Sequence, residues 1–200
     1  MKNDFNIRFA KISERNSIMS FIENYWSKDH ILAHDHTLFD FQHLDNDRLN
    51  YVIALDTEGT IVGILGYISY GYKKENHDIA LALWKVIPNL SDPLLGVKLI
   101  QFLQDNLDAR YIHCVGVTKS VLGIYKYLGF NAGMLNHYAA FNKNCKNFKI
   151  AIPPSRIKAL PKKCTYDFKQ IVSLDTSLKK LYKSEFYMEK IPYKTKEFFT

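Results

Sequence analysis

The stretch Ile124-Tyr125-Lys126-Tyr127-Leu128-Gly129-Phe130 decides how the chain is read. Val121, Leu122, Tyr125 and Leu128 recur at the spacing of one helical face. Gly129 stands where a helix ends most easily in a left-handed residue, and Phe130 restarts an extended segment. Upstream, the polar turn Thr118-Lys119-Ser120 joins this helix to Arg110–Val117, an apolar run that reads as a strand. Tyr125 and Tyr127 lie two positions apart, so they occupy different sides of the helix. The unit is therefore a strand, a short helix carrying Tyr125 on its inner face, and a Leu-Gly-Phe exit.

Working back towards the N-terminus, Pro93 to Leu107 reads as a helix that turns Val97, Leu99, Ile100, Leu103 and Leu107 inward. Asp92 is its expected N-cap and Pro93 its first helical residue. Ile79–Ile87 is almost continuously apolar, as expected for a strand covered on both faces. Tyr51–Leu55 and Ile61–Ser69 are β-rich runs joined by the hairpin signal Asp56-Thr57-Glu58-Gly59. Residues 27–49 read as irregular, with one short helix near Leu38–His43. Before them lie a strand at Phe5–Lys11 and a helix, capped by Ser13, whose Ile18, Phe21, Ile22, Tyr25 and Trp26 share a face. Residues 131–142 are expected to add the last strands. This order predicts an α+β fold with a central mixed, largely antiparallel sheet and helices on both faces. The helix between Ile79–Ile87 and Arg110–Val117 makes those two strands parallel.

Length and composition suit one globular domain with an appendage: 200 residues, 47% hydrophobic and 24% charged. The net charge of +7 is uneven. Residues 143–200 carry 14 Lys and Arg against 5 Asp and Glu, whereas residues 1–142 carry 13 against 15. The reading is thus a domain at 1–142 and a basic C-terminal extension, or an incomplete second domain, at 143–200. Its lysines are scattered without an arginine cluster or stacking aromatics, so no nucleic acid is expected as a partner. No apolar run approaches the ~18 residues of a membrane span. Met1-Lys2-Asn3-Asp4 has no signal-peptide core, and three cysteines form neither a metal spacing nor an even disulfide set. The expected location is the cytoplasm.

The Arg110–Val117 strand, the Tyr125 helix and the Leu128-Gly129-Phe130 exit together resemble the closing part of an acyl-CoA N-acyltransferase of the GNAT superfamily. The resemblance extends over roughly residues 5–142. It implies acetyl-CoA or another acyl-CoA as co-substrate, no metal, and a phenol at Tyr125 that protonates the departing thiolate. A helix N-terminus suits a pyrophosphate, which places Leu94, Leu95, Gly96 and Val97 at that group through their amides. The superfamily's phosphate loop reads Gln/Arg-x-x-Gly-x-Gly/Ala. On this chain those positions fall on Ser91, Leu94 and Gly96, so the last alone is kept. The resemblance also gives the Trp84, Lys85 and Val86 backbone to the pantetheine arm. The strand glutamate that many members use as base is Ala80 here; Asp78, two residues earlier on the same strand face, or a histidine is the candidate proton acceptor, working through water, with Glu75 and His77 nearby.

The acceptor is expected to be a small-molecule amine that meets Trp26, His30, His34, Asp35 and His36 in the segment after the first helix. His30 and His34 have i,i+4 spacing, but no His-Glu-x-x-His arrangement accompanies them, and metal binding is not expected. A narrower resemblance, to GNAT-like proteins of bacterial surface-polysaccharide gene clusters, implies an amino sugar or a nucleotide-linked one. Two other readings stay open: a GNAT-shaped binding or assembly protein without transfer activity, and an acyltransferase acting on a protein amine. A homodimer is the expected assembly if the chain self-associates.

Overall fold

A computed structural model describes residues 5–70 and 77–134 of the chain. The readings of Glu75, of residues 135–142 and of 143–200 lie outside the described residues. Strand β1 (Asn6–Lys11) leads through a single 3-10 turn (Ile12–Glu14) into α1 (Arg15–Tyr25). Two short helices follow, α2 (Ile31–His34) and α3 (His36–His43), then β2 (Leu44–Asp45), β3 (Arg48–Leu55), β4 (Ile61–Ser69) and β5 (His77–Val86). Helix α4 (Leu95–Asn106), β6 (Ala109–His113) and α5 (Lys119–Tyr127) complete the described elements.

The sheet runs β1-β3-β4-β5-β6, with β2 paired to β3. Every pairing is antiparallel except β5 with β6, as the helical connection through α4 demands. The α+β expectation of a mostly antiparallel mixed sheet flanked by helices therefore holds. Two cores sandwich the sheet. On one face, Ile18, Phe21 and Ile22 of α1, with Leu32 and Phe39 of α2 and α3, pack on Tyr51, Ile53 and Ile64. On the other, Leu95, Leu99, Ile100 and Leu103 of α4, with Tyr125 of α5, pack on Val52, Leu65, Tyr67, Ile79 and Leu81.

The alternation along β5 breaks once. Ile79 and Leu81 belong to the α4 face, Leu83 to the α1 face, and Trp84 and Val86 again to the α4 face. The register slips at the same place, between Leu65–Trp84 and Tyr67–Leu81. An extra residue in β5 is a bulge, which bends the strand and re-aims the side chains beyond it.

Several expectations shift in detail. Ser13 lies inside the 3-10 turn and is not a helix cap; α1 starts only at Arg15, and Glu14 folds back to accept the Lys11 N–H at 2.8 Å. Asp92 does not cap α4, since the N-cap is Leu94 and Pro93 lies outside the helix. Instead the Asp92 side chain accepts from the Leu94 N–H at 2.9 Å and ion-pairs Lys98 at 2.6 Å, bracing the approach to the helix. Residues 27–49 hold two helices rather than one, because His30 and Asp35 each cap a separate turn. Strand β6 stops at His113, short of Val117, and residues 131–134 form no strand.

Candidate active site

Strand β5 pairs with β4 as far as Gly63–Val86, but with β6 only from His77–Ala109 to Ala80–His113. Beyond Ala80 and His113 the two parallel strands share no registered pair among the described residues. Past that point the nearest link is the Cys114 thiol, which donates to the Leu81 carbonyl at 3.6 Å. The far half of β5, Leu83 to Val86, therefore has its β6-facing edge open among the described residues. An extended polar chain is the kind of ligand that such an edge accepts.

Tyr125 stands at the apex of this opening, and its placement follows from the Leu-Gly-Phe exit. Gly129 has φ +85°, a conformation that costs an L side chain roughly 1 kcal/mol or more. The left-handed turn lets the Gly129 N–H reach the Lys126 carbonyl at 3.1 Å and the Phe130 N–H reach the Tyr125 carbonyl at 2.9 Å. This is a Schellman closure, and its usual apolar contact is the Tyr125–Phe130 ring pair, edge to face at 5.3 Å. Backbone and ring of Tyr125 are thus both fixed by the two residues that end the helix. Tyr127, on the opposite side, is 82% exposed.

The Tyr125 ring also meets the Trp84 indole edge to face at 5.6 Å. The Cys114 thiol adjoins the Tyr125 hydroxyl. Burial pushes the Tyr125 phenol above its ordinary value and the adjoining thiol adds to the rise, so the group stays protonated through the neutral range. The Cys114 thiol is likewise raised, chiefly by burial, against a smaller opposing effect of the Tyr125 hydrogen bond. A neutral phenol directed at a sulfur atom is a group able to protonate a thiolate.

Trp84 joins this apex to the start of α4. A Cβ added to Gly96 would meet the Trp84 ring at 3.3 Å, so the glycine lets the helix rest on the indole without pushing the ring aside. Leu95 is buried and anchors the helix end, while Leu94 is exposed. The amides of Gly96 and Val97 fall in the first turn, where no helical carbonyl precedes them, so they are available to an anion. Val86 packs beneath α4, whereas Lys85, the next residue along β5 from Trp84, belongs to the other face. The structure thus brings together Tyr125, Trp84, Val86 and residues 94–97 along one side of the sheet, with Lys85 contributing only through its backbone.

Asp78 lies elsewhere, on the α1-side face at the start of β5. Its carboxylate accepts from Arg110 Nε at 3.0 Å and from an Arg110 terminal nitrogen at 2.8 Å, and its side chain is 1% exposed. Arg110 also covers the Tyr111 ring, at 4.9 Å from its centroid. The contact is bidentate and charge-assisted, which ties Asp78 to Arg110.

The residues expected at the acceptor are not gathered into one cluster. His30 Nδ1 accepts the Leu32 N–H at 3.3 Å, and Asp35 accepts the Leu38 N–H at 2.9 Å, each capping a helix. His34 Nε2–H donates to the Lys28 carbonyl at 2.6 Å. Trp26 and His36 are exposed. Among the described residues no group of three or more His, Cys, Asp or Glu is placed to hold a metal ion. His43 is fully buried between Phe39 and Tyr51, and its Nδ1–H donates to the Tyr67 carbonyl at 3.2 Å. A separate polar groove of about 470 Å³ lies between α1 and the β3–β4 hairpin, lined by Ser17, Ser20, Asn24 and Tyr25; it contains none of the expected site residues.

Sequence reasoning missed Arg110 and His113. Their relevance depends on the register of a parallel pair, which no local pattern encodes; the one cue was a polar His-Cys step at the end of an apolar strand.

No protein-family model and no curated protein sequence matches the chain. Among solved structures, it is similar to the aminoglycoside N-acetyltransferase AAC(6')-Iy in complex with CoA, with a TM-score of 0.52 at 17% identity, covering 72% of this chain and 98% of that one. It is similar also to the aminoglycoside 6'-N-acetyltransferase AAC(6')-Ih from Acinetobacter baumannii, with a TM-score of 0.51 at 15% identity over 70% and 99%. A third is the aminoglycoside acetyltransferase HMB0005 from an uncultured soil metagenomic sample, with a TM-score of 0.53 at 14% identity over 70% and 99%. Likeness at these identities speaks for architecture alone, and on that basis the chain has the fold of the GNAT acetyltransferases.

Proposed function

We propose that the protein is an acyl-CoA-dependent N-acyltransferase, moving an acetyl group from acetyl-CoA to a primary amine by direct attack. One observation carries the reading: β5 and β6 part just beyond Ala80 and His113, with a neutral, sulfur-facing phenol at the apex and a helix N-terminus at the far end. The Gly96 and Val97 amides, with Leu94 and Leu95 setting their turn, receive the pyrophosphate. The open backbone edge of Trp84, Lys85 and Val86 pairs with the pantetheine arm. Trp84 forms the wall between the two. Tyr125 protonates the thiolate as the carbon–sulfur bond breaks. Holding amine and thioester side by side supplies much of the acceleration, since the step needs orientation more than strong acid–base chemistry.

Asp78 serves in this scheme as an anchor for Arg110. Asp78→Asn is expected to lower thermal stability and leave the acidic limb of the rate profile in place; loss of that limb would return Asp78 to the role of base. The acceptor we favour is an amino sugar, free or nucleotide-linked. The reading is supported by the aminoglycoside acetyltransferases that share the fold and by the polar run from Trp26 to His36 over the α1-side face. Titration calorimetry with acetyl-CoA tests the core of the proposal, because absence of binding leaves only a GNAT-shaped scaffold. Thiol release from acetyl-CoA with amino sugars, amino-sugar nucleotides, polyamines and peptides then ranks the acceptors, and activity on peptides alone would overturn the amino-sugar assignment.

A further inference from the structure

Helix α1 carries an uncharged polar strip where a solvated helix face usually carries charged residues. Asn16, Ser17, Ser20 and Asn24 are all exposed, and the last three climb one side of the helix in steps of three and four. Serine and asparagine rank low as helix formers because their side chains compete for the backbone. Local helix physics therefore gives no reason for four of them among the eleven residues of α1. This strip faces the β3–β4 hairpin across the groove of about 470 Å³. The groove has an apolar floor, since Phe21 and Leu55 are buried and Ile61 packs on the same core. Its walls are Ser17, Ser20 and Asn24 on one side, with Gly59 and Thr60 on the other. The hairpin wall is braced: Asp56 accepts the Glu58 and Thr60 N–H groups at 3.0 and 2.8 Å. Asn24 is braced as well, because its Nδ2 donates to the Ser20 carbonyl at 2.8 Å. Among the described residues, the Ser17, Ser20 and Thr60 hydroxyls have no hydrogen-bond partner. Tyr25 is 44% exposed, yet its ring is held against Phe21 at 4.9 Å between centroids. Glu14 is the one charged residue of the lining, and both its oxygens are taken by Arg8, one of them also by the Lys11 N–H.

We infer that this groove is a binding site for a neutral saccharide. No Lys, Arg or His lines it, so a phosphate or carboxylate finds no counter-charge there. Glu14 is already neutralised by Arg8, so an ammonium group finds none either. A wholly apolar ligand would strip water from the hydroxyl walls and return no hydrogen bond. A pyranose meets both demands. Its C–H face lies against the Tyr25 ring and the apolar floor, and the hydroxyls around its rim bond to Ser17, Ser20, Asn24 and Thr60. The volume falls within the range of about 300–1,000 Å³ usual for small-molecule sites. The groove shares no residue with the cleft formed by Trp84, Gly96 and Tyr125, so saccharide binding here does not depend on acyl transfer.

The test titrates the full chain with methyl glucoside, N-acetylglucosamine, cellobiose and lactose, followed by backbone amide chemical shifts. At least one probe is expected to bind with Kd on the order of 1 mM, as suits an open site, and to move the amides of α1 and the β3–β4 hairpin. Tyr25→Ala is expected to weaken that probe about tenfold, while Tyr25→Phe, which keeps the ring, holds its affinity. Ser20→Lys is expected to abolish binding by filling the groove; lysine is the better helix former, so the fold is kept. Glucose 6-phosphate is expected to bind no more tightly than methyl glucoside. Absence of shifts with all four probes, tighter binding of the phosphate, or full affinity in Ser20→Lys would each overturn the assignment.

Discussion

The Tyr125–Phe130 exit and the Trp26–His43 segment are the two regions where the sequence concentrates chemistry-bearing side chains, and they end differently. In the first, a Schellman closure and two aromatic contacts fix one phenol at the parting of two strands. In the second, His30, His34 and Asp35 are spent on nearby backbone groups, and His43 is buried. The difference teaches what makes a polar side chain available for function. In short helices the orphaned amides of each first turn need partners, and the nearest polar residues meet that need first. Tyr125 sits in the last turn of its helix, where the backbone is closed by Gly129 and Phe130, so its hydroxyl is left for other work.

The largest effect separating the regions belongs to His43, and it concerns stability. Burial lowers its pKa from 6.5 to about 4. The unfolded chain therefore takes up a proton first as the pH falls. This contribution is complete above about pH 6.5 and is lost progressively down to about pH 4, by roughly 3 kcal/mol. Urea unfolding of the wild type and His43→Gln at pH 7 and pH 4.5 checks this: the difference between them should shrink at the lower pH. A constant difference would mean that the histidine carries a charge within the fold.

Tyr125→Phe comes next and should appear in catalysis. Removing the hydroxyl keeps the packing against Trp84 and Phe130, so acetyl-CoA affinity should hold while kcat falls on the order of 10²-fold. Normal turnover in that variant would erase the contrast between the regions, because neither would then contain a group tied to the reaction. Gly96→Val is a smaller probe of the same site. Its side chain must displace the Trp84 indole, 3.3 Å from the position of the new Cβ, and we expect acetyl-CoA binding about tenfold weaker by calorimetry, or about 1.4 kcal/mol. Undiminished affinity would separate the α4 terminus from the cofactor.

These regions also mark how far the sequence could be read. The Tyr125 helix, its glycine exit and the Asp56–Gly59 hairpin were legible because each depends on local backbone demands and a regular apolar spacing. The α4 core face was legible for the same reason. Arg110 and His113 were not, because their neighbours Asp78 and Ala80 lie about thirty residues away across a parallel pairing whose register is set by the whole α4 crossover. The Asp92 cap was misplaced because an Asp before Pro has two local uses. Here its carboxylate bonds to Lys98 and the Leu94 amide, and the helix starts two residues later than the pattern suggests.

The smallest effect tests whether the Trp26–His43 segment is scaffold alone. Asp35 caps α3 through a 2.9 Å bond to the Leu38 amide, and Asp35→Ala should cost about 1 kcal/mol in urea unfolding. Asp35→Asn keeps an acceptor oxygen at the same position and should recover most of that loss. If Asp35 acts only as a cap, KM for the acceptor follows stability and returns with the asparagine. If its charge also meets the amine, KM rises in both variants while only the alanine unfolds more easily. The second pattern would make Asp35 a substrate residue as well as a cap, and would bring the two regions back into one site.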